Sequence, residues 1–364
     1  MKIKELCDFL EEWAPGAYQE SYDNSGLLVG DQNREIEGVL VSLDCTEEVV
    51  DEAISKGCNI IVSHHPVVFG GLKRLTGKNY VERTVIKAIE NRIALFAIHT
   101  NLDNVPTGVN KKIADKLGLI NTSILAPKAG KLSQLVTYVP EANAEELRVA
   151  LANAGAGKLG NYSDCGFQSK GEGTFKPLDG SQPYLGEINS LHREKETRLE
   201  MIFPSYLIGK MESVLKKVHP YEEVAYSILG LENKNNYLGS GMIGELEIPM
   251  PLSSFLPFLK NKMEIGCVRY TNDTGKNIQK VALCGGSGSF LLKNALAANA
   301  DIFITGDFKY HEFFDAENNI IIADIGHFES EHYTIELIVE RIQEKFRNFA
   351  ICKSTHNTNP INYY

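Results

Sequence analysis

Six of the nine histidines, counting His332, fall in or just beyond short apolar runs that end in polar residues. His64 and His65 lie in NIIVSHHPVVF (Asn59–Phe69) and are followed at once by Pro66. Ile60, Ile61 and Val62 make a continuous apolar run of the kind that forms a strand buried on both faces. Imidazoles at the carboxyl end of such a strand stand where open α/β sheets take their ligands. Neighbours in a strand face opposite ways, so both rings reach one site only if the chain is already turning at His64. A second run, IALFAI (Ile93–Ile98), delivers His99 and Asp103 in the same way. ADIFITGD (Ala300–Asp307) delivers Asp307 and His311, and Ile320–Ala323 runs into His327. Glu331 follows His327 by four residues, the spacing that stacks side chains on one helical face. Ser330 is the expected cap of that helix, with Glu331 in its first turn. His332 is discounted, because it cannot share the direction of its neighbour. Imidazole and carboxylate together suit zinc, iron or manganese, and no thiolate forces the choice. The structural alternative is a set of buried histidines satisfied by backbone carbonyls.

The elements that position these residues repeat. Gly38–Leu43 reads as a strand, Thr46 with Glu47 and Glu48 opens a helix through Ile54, and Gly57 stops it. With the strand before His64 this is a βαβ unit. Residues Val81–Glu90 and Thr107–Leu117 read as helices. In the last third, Lys280–Cys284 is a strand, Gly285–Ser289 a loop, Phe290–Ala298 a helix and Asp301–Thr305 a strand. The likeness of the two βαβ patterns suggests a weak internal duplication. The glycine-rich loop either cradles a phosphate at a helix amino end or makes a tight strand-to-helix turn. Between the halves, Leu132–Val139, Ala144–Ala152, Arg198–Phe203, Tyr206–Val218 and Val224–Leu229 give a strand and helix order of ferredoxin-like type. Gly155–Gly186 is glycine-rich without helical periodicity, and His192 and His219 read as structural.

At 364 residues the chain is long enough for two domains with full cores. No run approaches a membrane span, and the start, MKIKELCDFLEEW, mixes charges into a helical repeat rather than presenting a signal-peptide core. The seven cysteines are odd in number and contain no CxxC pair, which suggests reduced thiols and a cytoplasmic protein. The formal net charge of −10 argues against nucleic acid as a partner.

SHHPVVF, HTNLD and GHFESE, with YDNSGLLVG early and GGSGS before the last strands, resemble the NGG-interacting-factor type 3 family. Members of that family are often labelled GTP cyclohydrolase 1 type 2 homologues. The resemblance covers roughly Met1–Pro127 and Leu238–Ile351. It implies an α/β fold: a two-lobed metal-binding domain with mixed sheets and flanking helices, residues 1–127 and 238–364, assembled as a toroidal homohexamer. An inserted α+β ferredoxin-like domain, residues 128–237, resembles a CutA/PII-like module through HPYEEVAY (His219–Tyr226). Carried over residue by residue, the ligands of a dinuclear divalent metal site are His64, His65, Asp103, His327 and Glu331, all present here. His99 and His311 remain as candidates to donate a proton to a leaving group or to orient a ligand.

Two divalent ions would carry four positive charges against the two negative charges of Asp103 and Glu331, which favours a bound hydroxide or an anionic substrate oxygen. A bridging carboxylate would hold the ions about 3.5–4 Å apart, the separation used in two-metal hydrolysis. Glu331, at a helix start, is the expected bridge. The function expected is a metal-dependent hydrolase acting on a nucleotide or phosphorylated small molecule. The alternatives are a non-catalytic metal-binding assembly with a regulatory or protein-interaction role, and a DNA-encircling ring that the acidic charge disfavours.

Overall fold

Three four-residue apolar runs, Val39–Ser42, Ile60–Ser63 and Ala94–Ala97, are buried at every position. Strands with no solvent face belong in the middle of a parallel sheet covered on both sides, and these three are paired in parallel in that order. The computed structural model describes residues 1–364. In it the sheet is completed by Ile351–Lys353, parallel to Val39–Val41, and by Gly26–Val29, antiparallel to the strand Ala94–Ala97. A second sheet repeats the arrangement. Ile278–Ser287, Ile302–Gly306 and Ile321–Asp324 are parallel, and the two-residue strand Arg269–Tyr270 pairs antiparallel with the last of them. Asn235–Met250 and Ile120–Lys128 extend its other edge.

Alternation within these strands decides which core each side chain joins. Val39, Val41, Ile60, Val62 and Phe96 share one cluster with Val281, Leu283, Ile302, Ile304 and Ile321. The apolar faces of the helices Ile3–Trp13, Val109–Lys116, Leu252–Met263 and Thr334–Lys345 complete that cluster. The opposite faces of the strands feed two separate clusters, around Leu40, Ile61 and Leu95 in the first sheet and Ala282, Phe303 and Ile322 in the second. Each buried Ile or Leu contributes about 1.5–3 kcal/mol, so the strand ends are fixed by packing on both sides.

The chain divides into two compact units, Met1–Pro127 with Asn236–Tyr364, and Lys128–Asn235. The second has the element order β-α-β-β-α-β. Its strands Leu132–Pro140, Phe167–Phe175, His192–Pro204 and Tyr226–Leu231 form one antiparallel sheet. Numbering the four in chain order, they lie 2-3-1-4 across the sheet. Both helices, Ala144–Ala154 and Ile208–Val218, send buried residues into the same core as Leu135, Leu199, Met201 and Phe203. The strand Phe167–Phe175 lies within the glycine-rich stretch that carried no periodic signal, because as an edge strand it has almost no buried face to pattern.

The seven cysteines are free thiols, and no helix is long and apolar enough to cross a membrane.

Candidate metal centre

Ser42, Ser63 and Ala97 are in register across the first sheet, so the residues that follow them emerge along one edge. Asp44, His64, His65 and His99 all come from that edge. At His64 the chain bends, and the Ser63 hydroxyl donates to the His65 carbonyl (2.8 Å). The turn brings both rings to one place, with centroids 4.9 Å apart. His99 lies 5.2 Å from His64 and 5.3 Å from His65, centroid to centroid. A single helical turn, Thr100–Asp103, then carries Asp103 inward. From the second sheet, the strand Ile321–Asp324 leads through Gly326 into the short helix His327–Glu331.

Each imidazole is anchored through Nδ1. His64 Nδ1 donates to the Ile98 carbonyl at 2.8 Å, and His65 Nδ1 meets Asp44 Oδ1 at 2.8 Å. His327 Nδ1 meets Asp307 Oδ2 and His99 Nδ1 meets Asp23 Oδ1, both at 2.7 Å. Anchoring one ring nitrogen in this way is how metal-binding histidines are oriented. It leaves four Nε2 atoms for the interior of the site.

The Nε2 atoms face carboxylates. His65 Nε2 and His327 Nε2 are 3.3 Å apart, and they lie 3.0 and 3.1 Å from Glu331 Oε2. His64 Nε2 stands 3.7 Å from Asp103 Oδ1 and 3.8 Å from Glu331 Oε1. Because a carbonyl only accepts, His64 Nδ1 must hold the proton, and a neutral His64 points a lone pair at two further acceptors. His64 Nε2 and Asp103 Oδ1 are both buried and without a hydrogen-bond partner. Acceptors gathered around a buried point are reconciled only by positive charge. Two three-residue groups meet the spacing of a cation site, His64–Asp103–Glu331 and His65–His327–Glu331, and a third, His64–His65–His99, adjoins them.

The electrostatics agree. Burial and then the Glu331 charge push the Asp103 carboxyl up to about 7. Burial opposes ionisation of Glu331, but its interactions with His327, His64 and His65 hold it well below the usual carboxylate range. For His65, burial opposes protonation and is outweighed by hydrogen bonds to Asp44 and Glu331, which raise it to about 10. His327 is raised to about 9 against the same burial, chiefly by Glu331. Protonated imidazoles would balance these carboxylates, and a cation bound among them would displace those protons.

His65, His99, Asp103, His327 and Glu331 line a cavity of about 690 Å³ that contains no lysine or arginine among its lining residues. Exposed aromatic rings, Tyr22, Phe69, Tyr80 and Phe290, stand among them. Residues Thr358–Ile361 supply part of the wall. Glu52 accepts from Ser354 Oγ and from both the amide and hydroxyl of Thr355, and Thr358 Oγ1 donates to Asp44 Oδ2.

The model of the Duf34/NIF3 (NGG1p interacting factor 3) family matches residues 1–360. The chain belongs to this family. It is 36% identical to a GTP cyclohydrolase 1 type 2 homolog of Bacillus subtilis, over 99% of this chain and 98% of the relative. A protein of the same name from Staphylococcus epidermidis is 37% identical over the full length of both. Among solved structures, a Bacillus cereus protein related to NIF3 is 37% identical and superposes with a TM-score of 0.87, covering 100% of this chain and 99% of its own.

In this NIF3 chain His311 does not line the cavity. It is exposed, stacked against Phe314 beside Tyr310. Ser330 is no helix cap. It is buried inside the helix, donates to the His327 carbonyl and accepts from the Gly286 amide, and Glu331 is the last helical residue instead of a first-turn one. Gly285 and Gly286 belong to the strand Ile278–Ser287 and lie against Glu331. At Gly286, where φ is +61°, an added Cβ would come within 2.4 Å of Glu331 Oε1. This glycine makes room for the carboxylate. Asp23 and Asp44 escaped sequence reasoning as partners of His99 and His65. Asp44 lies two residues beyond a buried strand, the same signal that singled out His65.

Proposed function

We propose that the chain is a metal-dependent hydrolase in which His64, Asp103 and Glu331 would hold one divalent cation and His65, His327 and Glu331 a second. The observation that carries this reading is Glu331, whose two oxygens face two different sets of donors. The donor set of imidazole and carboxylate suits zinc, iron or manganese. Two such ions would supply Lewis acidity toward an anionic oxygen and acidify a water. His99 would move the proton at Nε2. Its Nδ1 is held by Asp23, whose side chain is buried and whose carboxyl is held well below the usual range by hydrogen bonds from His99 and Thr100 despite the cost of burial.

The walls support one class of substrate. With no guanidinium or ammonium lining the cavity, anionic oxygens depend on the two cations for neutralisation. The aromatic rim offers faces on which a planar base would stack. A nucleotide or another phosphorylated small molecule satisfies both, and the relatives' name, GTP cyclohydrolase 1 type 2 homolog, points the same way. We read the remaining architecture as a two-lobed domain, residues 1–127 and 238–364. A ferredoxin-like insert of CutA/PII type occupies 128–237, and the whole assembles as a toroidal homohexamer in the cytoplasm.

The test is elemental analysis of the purified protein together with a turnover screen over nucleotides and phosphoesters, for the wild type and for Glu331→Ala and His99→Ala. Metal-dependent turnover lost in both variants, with the metal lost only in the first, supports the hydrolase. Metal retained by the wild type with no turnover on any candidate would leave a non-catalytic metal-binding assembly.

A further inference from the structure

The second compact unit contains a cleft of about 600 Å³. Its floor is the strand Phe167–Phe175, where Gly171 stands directly opposite Glu196 of the neighbouring strand. The Glu196 side chain lies across Gly173, and a Cβ added there would be 2.0 Å from Glu196 Oε2. Only glycine at 173 permits this placement of the carboxylate. Glu196 is 8% exposed, and it accepts one side-chain hydrogen bond, from the Tyr221 hydroxyl at 2.8 Å. It has no ion-pair partner. Three basic residues also line the cleft: Lys170 is engaged by Glu141 at 3.0 Å, Arg198 by Glu200 at 3.0 Å, and Lys176 is the third. Around the carboxylate stand aromatic rings. Phe175 lies 5.6 Å and Tyr184 6.4 Å from Tyr221, centroid to centroid.

A nearly buried carboxylate without a counter-charge favours a cation. The walls select which kind. Hard metal ions take six or more oxygen ligands, and no residues of this cleft form a group spaced to hold a metal ion. An anion would meet four carboxylates, Glu172, Glu196, Glu222 and Glu223, against three basic side chains. Aromatic faces beside a carboxylate are the chemistry that recognises alkylammonium groups. We propose that this cleft binds a small organic ammonium ion, its charge against Glu196 and its carbon atoms against Phe175, Tyr184 and Tyr221.

The experiment titrates choline, tetramethylammonium and putrescine into the full chain by calorimetry and NMR. Controls are 3,3-dimethyl-1-butanol, the neutral isostere of choline, and inorganic phosphate. At least one cation should bind saturably, the neutral isostere and phosphate at least about tenfold more weakly. Glu196→Gln should weaken the cation by about tenfold or more. Tyr184→Ala alters an exposed ring, so it should weaken binding with the melting temperature unchanged, which keeps the test decisive if Glu196→Gln folds poorly. Saturable binding of none of the three cations overturns the proposal. So does an isostere that binds as tightly as choline, or cation affinity that Tyr184→Ala and a folded Glu196→Gln both leave intact.

Discussion

Glu331 is the residue on which the proposed centre turns, because it is the only side chain shared by both donor groups. Replacing it by glutamine removes the negative charge while keeping the shape. The expected result is a fall from two bound ions per chain to at most one, read by elemental analysis. Two ions retained would exclude the bridging arrangement. Asp44 acts one bond further out, through Nδ1 of His65. Asp44→Ala should weaken metal binding by about 10- to 100-fold in a competitive metal titration, as loss of such outer partners generally does, with the fold intact by circular dichroism. Gly286→Ala forces a Cβ against Glu331 at a positive φ. It should cost about 1–3 kcal/mol in chemical denaturation and lower metal content together with stability.

The elements that carry chemistry were legible because their signals are strong. Fully apolar four-residue runs ending in polar residues announce parallel strands and their ligand-bearing ends, and His64, His65, Asp103, His327 and Glu331 converge from two such sheets. Signals failed where the physics is local or weak. The strand Phe167–Phe175 has almost no buried face. The helix Leu252–Met263 contains Pro257 within it, and Ser330 looks like a cap in sequence while serving as a buried crosslink to Gly286. The helix Glu47–Ser55, by contrast, begins at Thr46 as its sequence indicates. It bears Glu52, which receives Lys56 Nζ at 2.6 Å as well as Ser354 and Thr355. Burial opposes ionisation of Glu52, but these hydrogen bonds prevail and bring its carboxyl down to about 2. Since the folded value lies below the unfolded one near 4.5, the stabilisation is complete above pH 4.5 and is lost as pH falls toward 2. Denaturation measured across that range should show a steeper decline for the wild type than for Glu52→Gln, and equal slopes would discount the linkage.

At the scale of the whole molecule, the excursion of the chain through Lys128–Asn235 begins and ends at neighbouring points. Gly239 lies against Ala126 and Pro127, where an added Cβ would fall 2.1 Å from the Ala126 carbonyl oxygen. Excising 128–235 and closing the gap with a short glycine-serine linker should therefore leave a folded protein. Its metal content should be unchanged, as checked by elemental analysis and a melting curve. Loss of metal from a folded excision variant would assign the insert a part in the centre. None of residues 351–364 is buried, yet Thr358–Ile361 form a side of the cavity. Beyond the strand Ile351–Lys353, whose Ile351 and Cys352 pack against the cores, residues 354–364 are held by polar fastenings to Glu52, Asp44 and Glu329. Their sequence is thus free to drift at little cost to folding, while every donor atom stays where the sheets put it. Grafting residues 354–364 between relatives would be a way to retune what the cavity admits without moving the donor atoms at its floor.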